Sequence, residues 1–207
     1  MSTAGPSGQN SNSGYLVSVE TRDPDYPIMT IKAQTVINAA GLWSDSVARM
    51  PLPPDQASTR LYYAKGRYYS YSGSAIKVSR LIYPVPDPNI TTLGTHLTID
   101  LGGRIKFGPD LTWTDSPTDY AVTHGEALGD FVQAISTYLP AITAEDLHID
   151  YAGIRPKLQP PGGPFCDFVI RNEVDKGLPG FINLLGIESP GLTASLAIAK
   201  YVECLLY

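Results

Sequence analysis

The feature that most constrains this chain is a turn rich in glycine and proline, residues 186–193, set between a short apolar strand and an apolar C-terminal helix. Ser189 suits a helix N-cap, Pro190 suits the first helical position, and Gly191 lets a ligand approach the backbone. The pattern predicts a helix that begins at this turn, with free N–H groups and the positive end of its dipole facing an electron-rich ligand. An ordinary capped surface helix is the alternative interpretation.

Composition is typical of a folded globular protein. The 207 residues, 43% hydrophobic and 17% charged, suffice to bury a sizeable core. A net charge of -5 without a Lys/Arg run argues against a nucleic-acid surface, and no apolar run approaches the roughly 20 residues that cross a bilayer. Two cysteines without His/Cys ligand spacing predict no metal site. Residues 1–14, rich in Ser, Gly and Asn, predict a disordered tail without a secretory signal or transit peptide.

Hydrophobic periodicity predicts a mixed arrangement at the two ends of the chain. Residues 15–22 and 28–40 predict strands, and Gly41 ends the second before a short helix over residues 44–50, capped by Ser44 or Asp45. A strand that runs into a Gly-bearing turn and a helix is where α/β sheets bind ligands. Further strands are predicted over residues 148–158, 165–171 and 180–185. The last helix carries an apolar stripe of Leu192, Leu196, Ala199, Val202 and Leu206.

The middle of the chain has a different sequence pattern, because aromatic and β-branched runs alternate there with Gly and Pro. These runs predict antiparallel strands over residues 61–71, 81–85, 91–101 and 104–107. Gly102 and Gly103 mark a tight hairpin between the last two. Residues 124–138 show helical spacing and predict a helix that packs across the sheet. The whole chain is therefore predicted to have an α/β (α+β) fold.

Several segments in a fixed order resemble the D-amino-acid-oxidase-type FAD-dependent oxidoreductases, and among them most of all the L-2-hydroxyglutarate dehydrogenase group. The segments are VINAAGLWSD at residues 36–45, KGRYY at 65–69, YPVPDP at 83–88, GTHLT at 94–98, the Gly-Pro pair at 108–109, YAGIRP at 151–156 and the turn at 186–193. The resemblance extends over nearly the whole chain after the tail. It implies a partial FAD-binding Rossmann-like layer from residues 15–50 and 151–207, and an antiparallel-sheet substrate domain with covering helices from residues 51–150.

The sequence departs from the family pattern in one respect. No G-x-G-x-x-G motif is present, so the phosphate-binding unit of such enzymes is missing from this sequence. We therefore expect weak FAD binding or none, and a fragment, a truncated gene model and a degenerate relative stay open. The resemblance implies a mitochondrial location, while the lack of a transit-peptide pattern leaves a cytoplasmic location open.

The resemblance implies oxidation of a small-molecule 2-hydroxy acid, L-2-hydroxyglutarate, to 2-oxoglutarate by hydride transfer to FAD, with the electron acceptor left open. Such a reaction needs a flavin, a group that anchors the substrate carboxylate, and a base for the hydroxyl proton. Two alternatives remain. One is an amino-acid oxidase of the same superfamily acting on glycine- or sarcosine-like amines, and the other is a non-catalytic substrate-binding module without FAD.

Two residues are the candidates for catalysis. Arg155 lies in a strand suited to burial, where a guanidinium can hold a carboxylate with two parallel hydrogen bonds, and the family motif implies this role. The alternative is a structural pair with a nearby acid such as Asp150. His96 is the candidate proton acceptor because imidazole titrates near neutral pH, although a strand histidine can equally be structural.

The remaining candidates bind cofactor or substrate. The resemblance implies that FAD contacts Gly41, Trp43, Gly153, Gly186, Ile187, Glu188, Ser189, Gly191, Leu192 and Thr193. A second substrate carboxylate would need another cation, and Lys65, Arg67, Arg104 and Lys106 are available in the predicted sheet. Lys65 is favoured because Gly66 beside it permits close approach. Tyr69, together with Tyr68, is a candidate hydroxyl donor to the substrate.

Overall fold

The computed structural model describes residues 14–56, 59–85 and 94–206 of the chain. The expected tail therefore lies, except for Gly14, outside the described residues, as do residues 86–88 and 91–93 of the predicted segments. The strands are β1 (Tyr15–Glu20), β2 (Ile28–Ala33), β3 (Val36–Asn38), β4 (Tyr62–Tyr71), β5 (His96–Ile99), β6 (Ile105–Gly108), β7 (Thr112–Thr114), β8 (Leu147–Lys157), β9 (Val169–Asn172) and β10 (Phe181–Leu185). The α-helices are α1 (Ser44–Arg49), α2 (Leu128–Ser136) and α3 (Ser195–Cys204).

These strands form three sheets, and the α/β (α+β) fold class is confirmed. Strands β1 and β2 pair as an antiparallel hairpin. Strand β10 lies between β3, to which it is parallel, and β9, to which it is antiparallel. The third sheet is antiparallel, with β8 paired along the whole of β4, and β6 and β7 paired with the two ends of β4. Strand β5 extends this sheet beyond β6 through the predicted Gly102–Gly103 hairpin.

One face of the antiparallel sheet carries the main hydrophobic core. Tyr69, Leu97 and Phe107 project from three strands onto α2, where the Tyr69 ring lies 4.7 Å from that of Phe131. Side chains alternate between the faces of a strand, so the neighbours of these residues point to the opposite face. The predicted helix that packs across the sheet is thus confirmed, although it begins at Leu128 rather than near residue 124. The opposite face is left free for a site.

Two predicted strands differ in the structure, and the predicted domain boundary falls within a strand. Residues 28–40 form two strands rather than one, because β2 pairs with β1 while β3 leaves the hairpin and pairs with β10. The predicted strand over residues 81–85 is reduced to a single bridge between Ile82 and Leu97. The expected domain boundary at residues 150 and 151 falls inside β8, and the division into two domains stays a prediction.

The apolar stripe of α3 is largely uncovered in the described residues. Val202 is buried, whereas Leu192 and Leu196 are 91% and 85% exposed. None of the helices that the structure describes is long and apolar enough to cross a membrane.

Candidate active site

Two neighbouring parallel strands end at the same edge of the small mixed sheet. Asn38 of β3 stands opposite Asn183 of β10, and each strand is followed by a glycine in the left-handed region, Gly41 at φ 58° and Gly186 at φ 68°. At Gly186 a β-carbon would also lie 2.5 Å from Cγ of Leu158, so this turn packs tightly against the end of β8. The predicted turn at Gly41 and the predicted turn at residues 186–193 are therefore brought together, as expected at the carboxyl edge of an α/β sheet.

A buried polar network fixes this edge. The Asn38 side-chain amide donates to the Asn183 side-chain oxygen and to the Ser44 carbonyl, both at 2.7 Å. Asn183 in turn donates to Glu173 at 2.7 Å. Burial raises the pKa of the Glu173 carboxyl, but hydrogen bonds from Asn183, Arg171 and Lys176 outweigh burial, and the net pKa is lowered. Sequence reasoning missed this network because polar residues within short apolar strands carry no pattern that reveals their partners.

The turn at residues 186–193 does not cap a helix as predicted. Helix α3 begins at Ser195 with Ala194 at its N-cap, so Ser189 as N-cap and Pro190 as first helical residue are wrong. The backbone instead forms a turn in which the Gly191 N–H donates to the Glu188 carbonyl. The N–H groups of Leu192 and Thr193 find no acceptor among the residues that the structure describes. They are available to a ligand, and their role as donors to a cofactor stays a prediction.

Glu188 joins this turn to the antiparallel sheet. Its carboxylate lies 2.8 Å from Nζ of Lys157 and 3.6 Å from Nη1 of Arg155. Lys157 and Glu188 are both nearly buried, so the pair is shielded from solvent and holds the turn beside the end of β8. The alternative partner for Arg155, Asp150, pairs instead with Lys106 at 2.8 Å.

Arg155 lies on the sheet face opposite the core. Its cross-strand partner is Ala64, and next along this face come the facing pairs Gly66–Gly153 and Tyr68–Tyr151. A β-carbon at Gly153 would meet no atom within 4 Å, so the space above that position is open. The Tyr68 and Tyr151 rings stack with centroids 4.7 Å apart and an interplanar angle of 9°. We call this surface, comprising Ala64, Gly66, Tyr68, Tyr151, Gly153 and Arg155, the site face.

Tyr68 contacts the guanidinium of Arg155. Burial and the neighbouring Tyr151 hydroxyl raise the pKa of Tyr68, and a hydrogen bond from Arg155 opposes that rise. Tyr68 thus stays a neutral phenol that holds the guanidinium on the site face.

His96 is buried on the same side of the sheet. Its ring stacks on Tyr83, with centroids 4.1 Å apart, and its Nδ1 lies 3.0 Å from the Gly94 carbonyl. Because a carbonyl only accepts hydrogen bonds, Nδ1 carries the proton and Nε2 of the neutral ring keeps a free lone pair. Burial lowers the pKa of His96, the Gly94 bond raises it, and the charge of Arg155 lowers it further, so the net pKa is below 6.5. His96 and Arg155 are therefore electrostatic neighbours.

Two predicted substrate ligands are corrected by the structure. Lys65 and Tyr69 both project to the face opposite Arg155. Lys65 pairs with Asp119 at 3.3 Å and donates to the Ala121 carbonyl, while Tyr69 is 1% exposed and donates to the Glu126 carbonyl at 2.7 Å. Both side chains therefore lie on the core side of the sheet and form hydrogen bonds there. The alternation of strand side chains separates Tyr68 from Tyr69, but the sequence does not say which of the two faces is the core.

The sequence and the fold were compared with those of known proteins. The sequence profile described as FAD dependent oxidoreductase matches residues 11–205. The chain is 40% identical to the mitochondrial L-2-hydroxyglutarate dehydrogenase of Arabidopsis thaliana over 81% of its own length and 36% of the plant protein. It is 28% identical to L-2-hydroxyglutarate dehydrogenase of Indibacter alkaliphilus, over 90% of the chain and 55% of that protein.

Among solved structures, the L-alpha-glycerophosphate oxidase of Mycoplasma pneumoniae with FAD bound has a TM-score of 0.71 at 23% identity, over 96% of this chain and 48% of that one. The chain therefore spans about a third to a half of the length of these proteins. A family match over almost the entire chain, together with this fold and the two turns at one sheet edge, leads to one conclusion. The chain belongs to the family of FAD dependent oxidoreductases.

Proposed function

We propose that this chain takes part in the FAD-dependent oxidation of L-2-hydroxyglutarate to 2-oxoglutarate. The observation that carries the proposal is the convergence on one sheet face of Arg155, which suits a carboxylate, with His96, which suits a hydroxyl proton. The 40% identity with the plant L-2-hydroxyglutarate dehydrogenase supports this substrate. The contact of Glu188 with Arg155 supports a cofactor position beside the substrate.

The residues around the two turns fit a flavin. Free N–H groups at Leu192 and Thr193 suit the electron-rich edge of an isoalloxazine, and the open space above Gly153 admits a flat ligand. The proposed cofactor contacts are Gly41, Trp43, Gly153, Gly186, Ile187, Glu188, Ser189, Gly191, Leu192 and Thr193. When bound, FAD would supply the acceptor for the hydride that leaves C2 of the substrate.

Arg155 would bind and orient the C1 carboxylate. Its guanidinium already meets one carboxylate, that of Glu188, at 3.6 Å, and its planar fork can hold a ligand carboxylate with two parallel bonds. The neighbouring Tyr68 hydroxyl, on which the charge of Arg155 acts, would restrict the rotamers of this long side chain before the ligand arrives. Preorganisation of this kind lowers the entropic cost of binding.

His96 would take the hydroxyl proton at Nε2. The bond from Nδ1 to the Gly94 carbonyl fixes the tautomer, and stacking on Tyr83 fixes the ring plane. A pKa below 6.5 keeps the ring neutral and able to accept a proton at pH 7.

Binding and turnover can be tested with the purified chain supplied with FAD. Because the phosphate-binding motif is missing from this sequence, FAD is kept in excess throughout. Under that condition we expect reduction of an artificial electron acceptor with L-2-hydroxyglutarate, and no comparable turnover of glycine or sarcosine. Arg155→Met should weaken 2-oxoglutarate binding by about 10- to 100-fold, the value of one charge-assisted contact. Arg22→Met, which removes an exposed arginine outside the antiparallel sheet, is the matched control and should bind normally.

The outcomes separate the alternatives. Faster turnover of glycine or sarcosine would favour an amino-acid oxidase. Stabilisation by 2-oxoglutarate without flavin retention would favour a non-catalytic binding module. Failure to bind either 2-oxoglutarate or FAD would refute the proposal.

We extend the proposal to a mitochondrial location, supported by the mitochondrial designation of the plant relative, although a bacterial relative matches as well. Organelle fractionation with an antibody against the chain tests it. Recovery of the chain outside mitochondria would contradict this part of the proposal.

A further inference from the structure

We propose that Lys106 binds the second carboxylate of the substrate and so selects dicarboxylic 2-hydroxy acids. This inference rests on the proposed function, because it takes Arg155 as the anchor of the first carboxylate. It replaces Lys65, which the structure places on the opposite face of the sheet.

Lys106 lies on the site face of the neighbouring strand. On β6 it pairs with Thr98 and Ser70, whereas the adjacent Phe107 points into the core. Its Nζ lies 4.9 Å from the centre of the Tyr151 ring, which stacks on Tyr68. Since Tyr68 contacts Arg155, the two cations flank the same pair of aromatic rings.

The spacing of the two cations suits a diacid of several carbons. Their partners on β4 are Ser70 and Ala64, which lie about 20 Å apart along the strand. The Lys106 ammonium lies over the Tyr151 ring and the charge of Arg155 acts on Tyr68, so both side chains extend from the ends of this stretch towards the stacked rings. An extended five-carbon diacid has its carboxyl carbons about 5 Å apart, and its two carboxylates would each meet one of the two cations over the stacked rings.

The ammonium of Lys106 keeps binding capacity despite its acidic neighbours. It pairs with Asp150 at 2.8 Å and lies 3.9 Å from Asp100, but a lysine has three donors. Asp100 is itself neutralised by Arg104 at 2.9 Å. The Lys106 side chain is 13% exposed and the neighbouring Tyr151 is 45% exposed, so a ligand would reach the ammonium from the Tyr151 side.

Other basic residues of the sheet are already engaged. Lys157 is nearly buried and bound to Glu188, and Arg67 pairs with Asp110 and Glu126 on the far face. Lys106 is therefore the cation best placed for a second carboxylate on the site face.

Calorimetric titration of the purified chain, supplied with FAD, with L-2-hydroxyglutarate and L-2-hydroxypentanoate tests the inference. The second acid has five carbons but lacks the second carboxylate. Wild type should bind L-2-hydroxyglutarate more tightly. Lys106→Met should weaken L-2-hydroxyglutarate by about 10- to 100-fold and leave L-2-hydroxypentanoate unchanged. Arg155→Met should weaken both acids.

Two controls isolate the lysine contact. Lys106→Met combined with Asp150→Asn removes both charges of the pair, so a persisting loss of affinity comes from the missing lysine rather than from repulsion by Asp150. Arg22→Met removes an exposed arginine at the β1–β2 turn, outside the antiparallel sheet, and should bind both acids normally.

Three results would overturn the inference. Equal wild-type affinities for the two acids, or normal L-2-hydroxyglutarate binding by Lys106→Met while Arg155→Met loses both acids, would reject Lys106 and leave the proposed function standing. Failure of wild type to bind either acid would reject the proposed function and this inference together.

Discussion

Replacing Gly153 by alanine should separate stability from ligand binding. Gly153 lies in β8, between Tyr151 and Arg155 on the site face, and a β-carbon there would meet no atom within 4 Å. Its φ is not in the left-handed region, so alanine fits the backbone without strain. The added methyl would instead project into the space proposed for the ligand.

The substitution should raise the stability of the protein and lower its affinity for the ligand. Glycine inside a strand destabilises by about 0.5–1 kcal/mol relative to alanine, so Gly153→Ala should raise the Tm by about 1–4 °C. Ligand binding should fall by about 10- to 200-fold, the value of one methyl group in a close-fitting pocket. A more stable protein that binds less well is the predicted result.

Gly66, which faces Gly153 across the strand pair, offers a matched control. A β-carbon at Gly66 would lie 2.6 Å from Cβ of Pro109 and 3.2 Å from the Asp110 carbonyl oxygen. Because non-bonded carbons normally stay about 3.5–4.0 Å apart, Gly66→Ala should destabilise by about 1–3 kcal/mol. Thermal unfolding of both variants measures the effect on stability, and titration with FAD measures the effect on ligand binding.

Two results would refute the reasoning. Normal FAD binding by a stabilised Gly153→Ala variant would show that the flavin does not lie over Gly153. A fall in Tm similar to that of Gly66→Ala would show that the space is not open.

Three further predictions follow from burial and hydrogen bonding. Because the pKa of His96 is lowered in the folded state, the unfolded chain binds a proton more readily as the pH falls below 6.5, and the free energy of unfolding should decrease as the pH falls further. Urea unfolding at pH 7.5 and pH 5.5 measures this decrease, which should be smaller in the His96→Gln variant. Asn183→Ala leaves Asn38 and Glu173 short of a buried partner, and should cost about 1–3 kcal/mol in the same assay. Leu196→Glu, at an exposed position of α3, should change the unfolding free energy of this chain by no more than about 0.5 kcal/mol.

The long strands of the antiparallel sheet could be predicted from the sequence. Residues 61–71 and 148–158 correspond to β4 and β8 within one residue at each end. Aromatic and β-branched runs determine these strands because they bury area on a pleated surface whatever their partners are. The pairing of Arg155 with Glu188, by contrast, joins residues 33 apart in the sequence and has no local signal.

Where prediction failed, distant contacts decided the outcome. The split at residues 34–35 is imposed by β10, which pairs with β3 only, and Gln34-Thr35 carries no turn signal. Residues 186–193 have the composition of a helix start, yet the turn folds against Leu158 and Lys157, and α3 begins later. Local propensity thus located the turn but not its geometry.

The parallel pairing of β3 with β10 has a consequence for how the protein folds. The bond between the Asn38 and Asn183 side chains joins residues 145 positions apart, whereas β5 and β6 are neighbours in the chain. Closing so long a loop lowers the entropy of the chain before the contacts between the strands can stabilise it, so such pairings slow folding. The hairpins should therefore mature early, and the edge that carries both glycine turns should be among the last parts to acquire protection from hydrogen exchange during refolding.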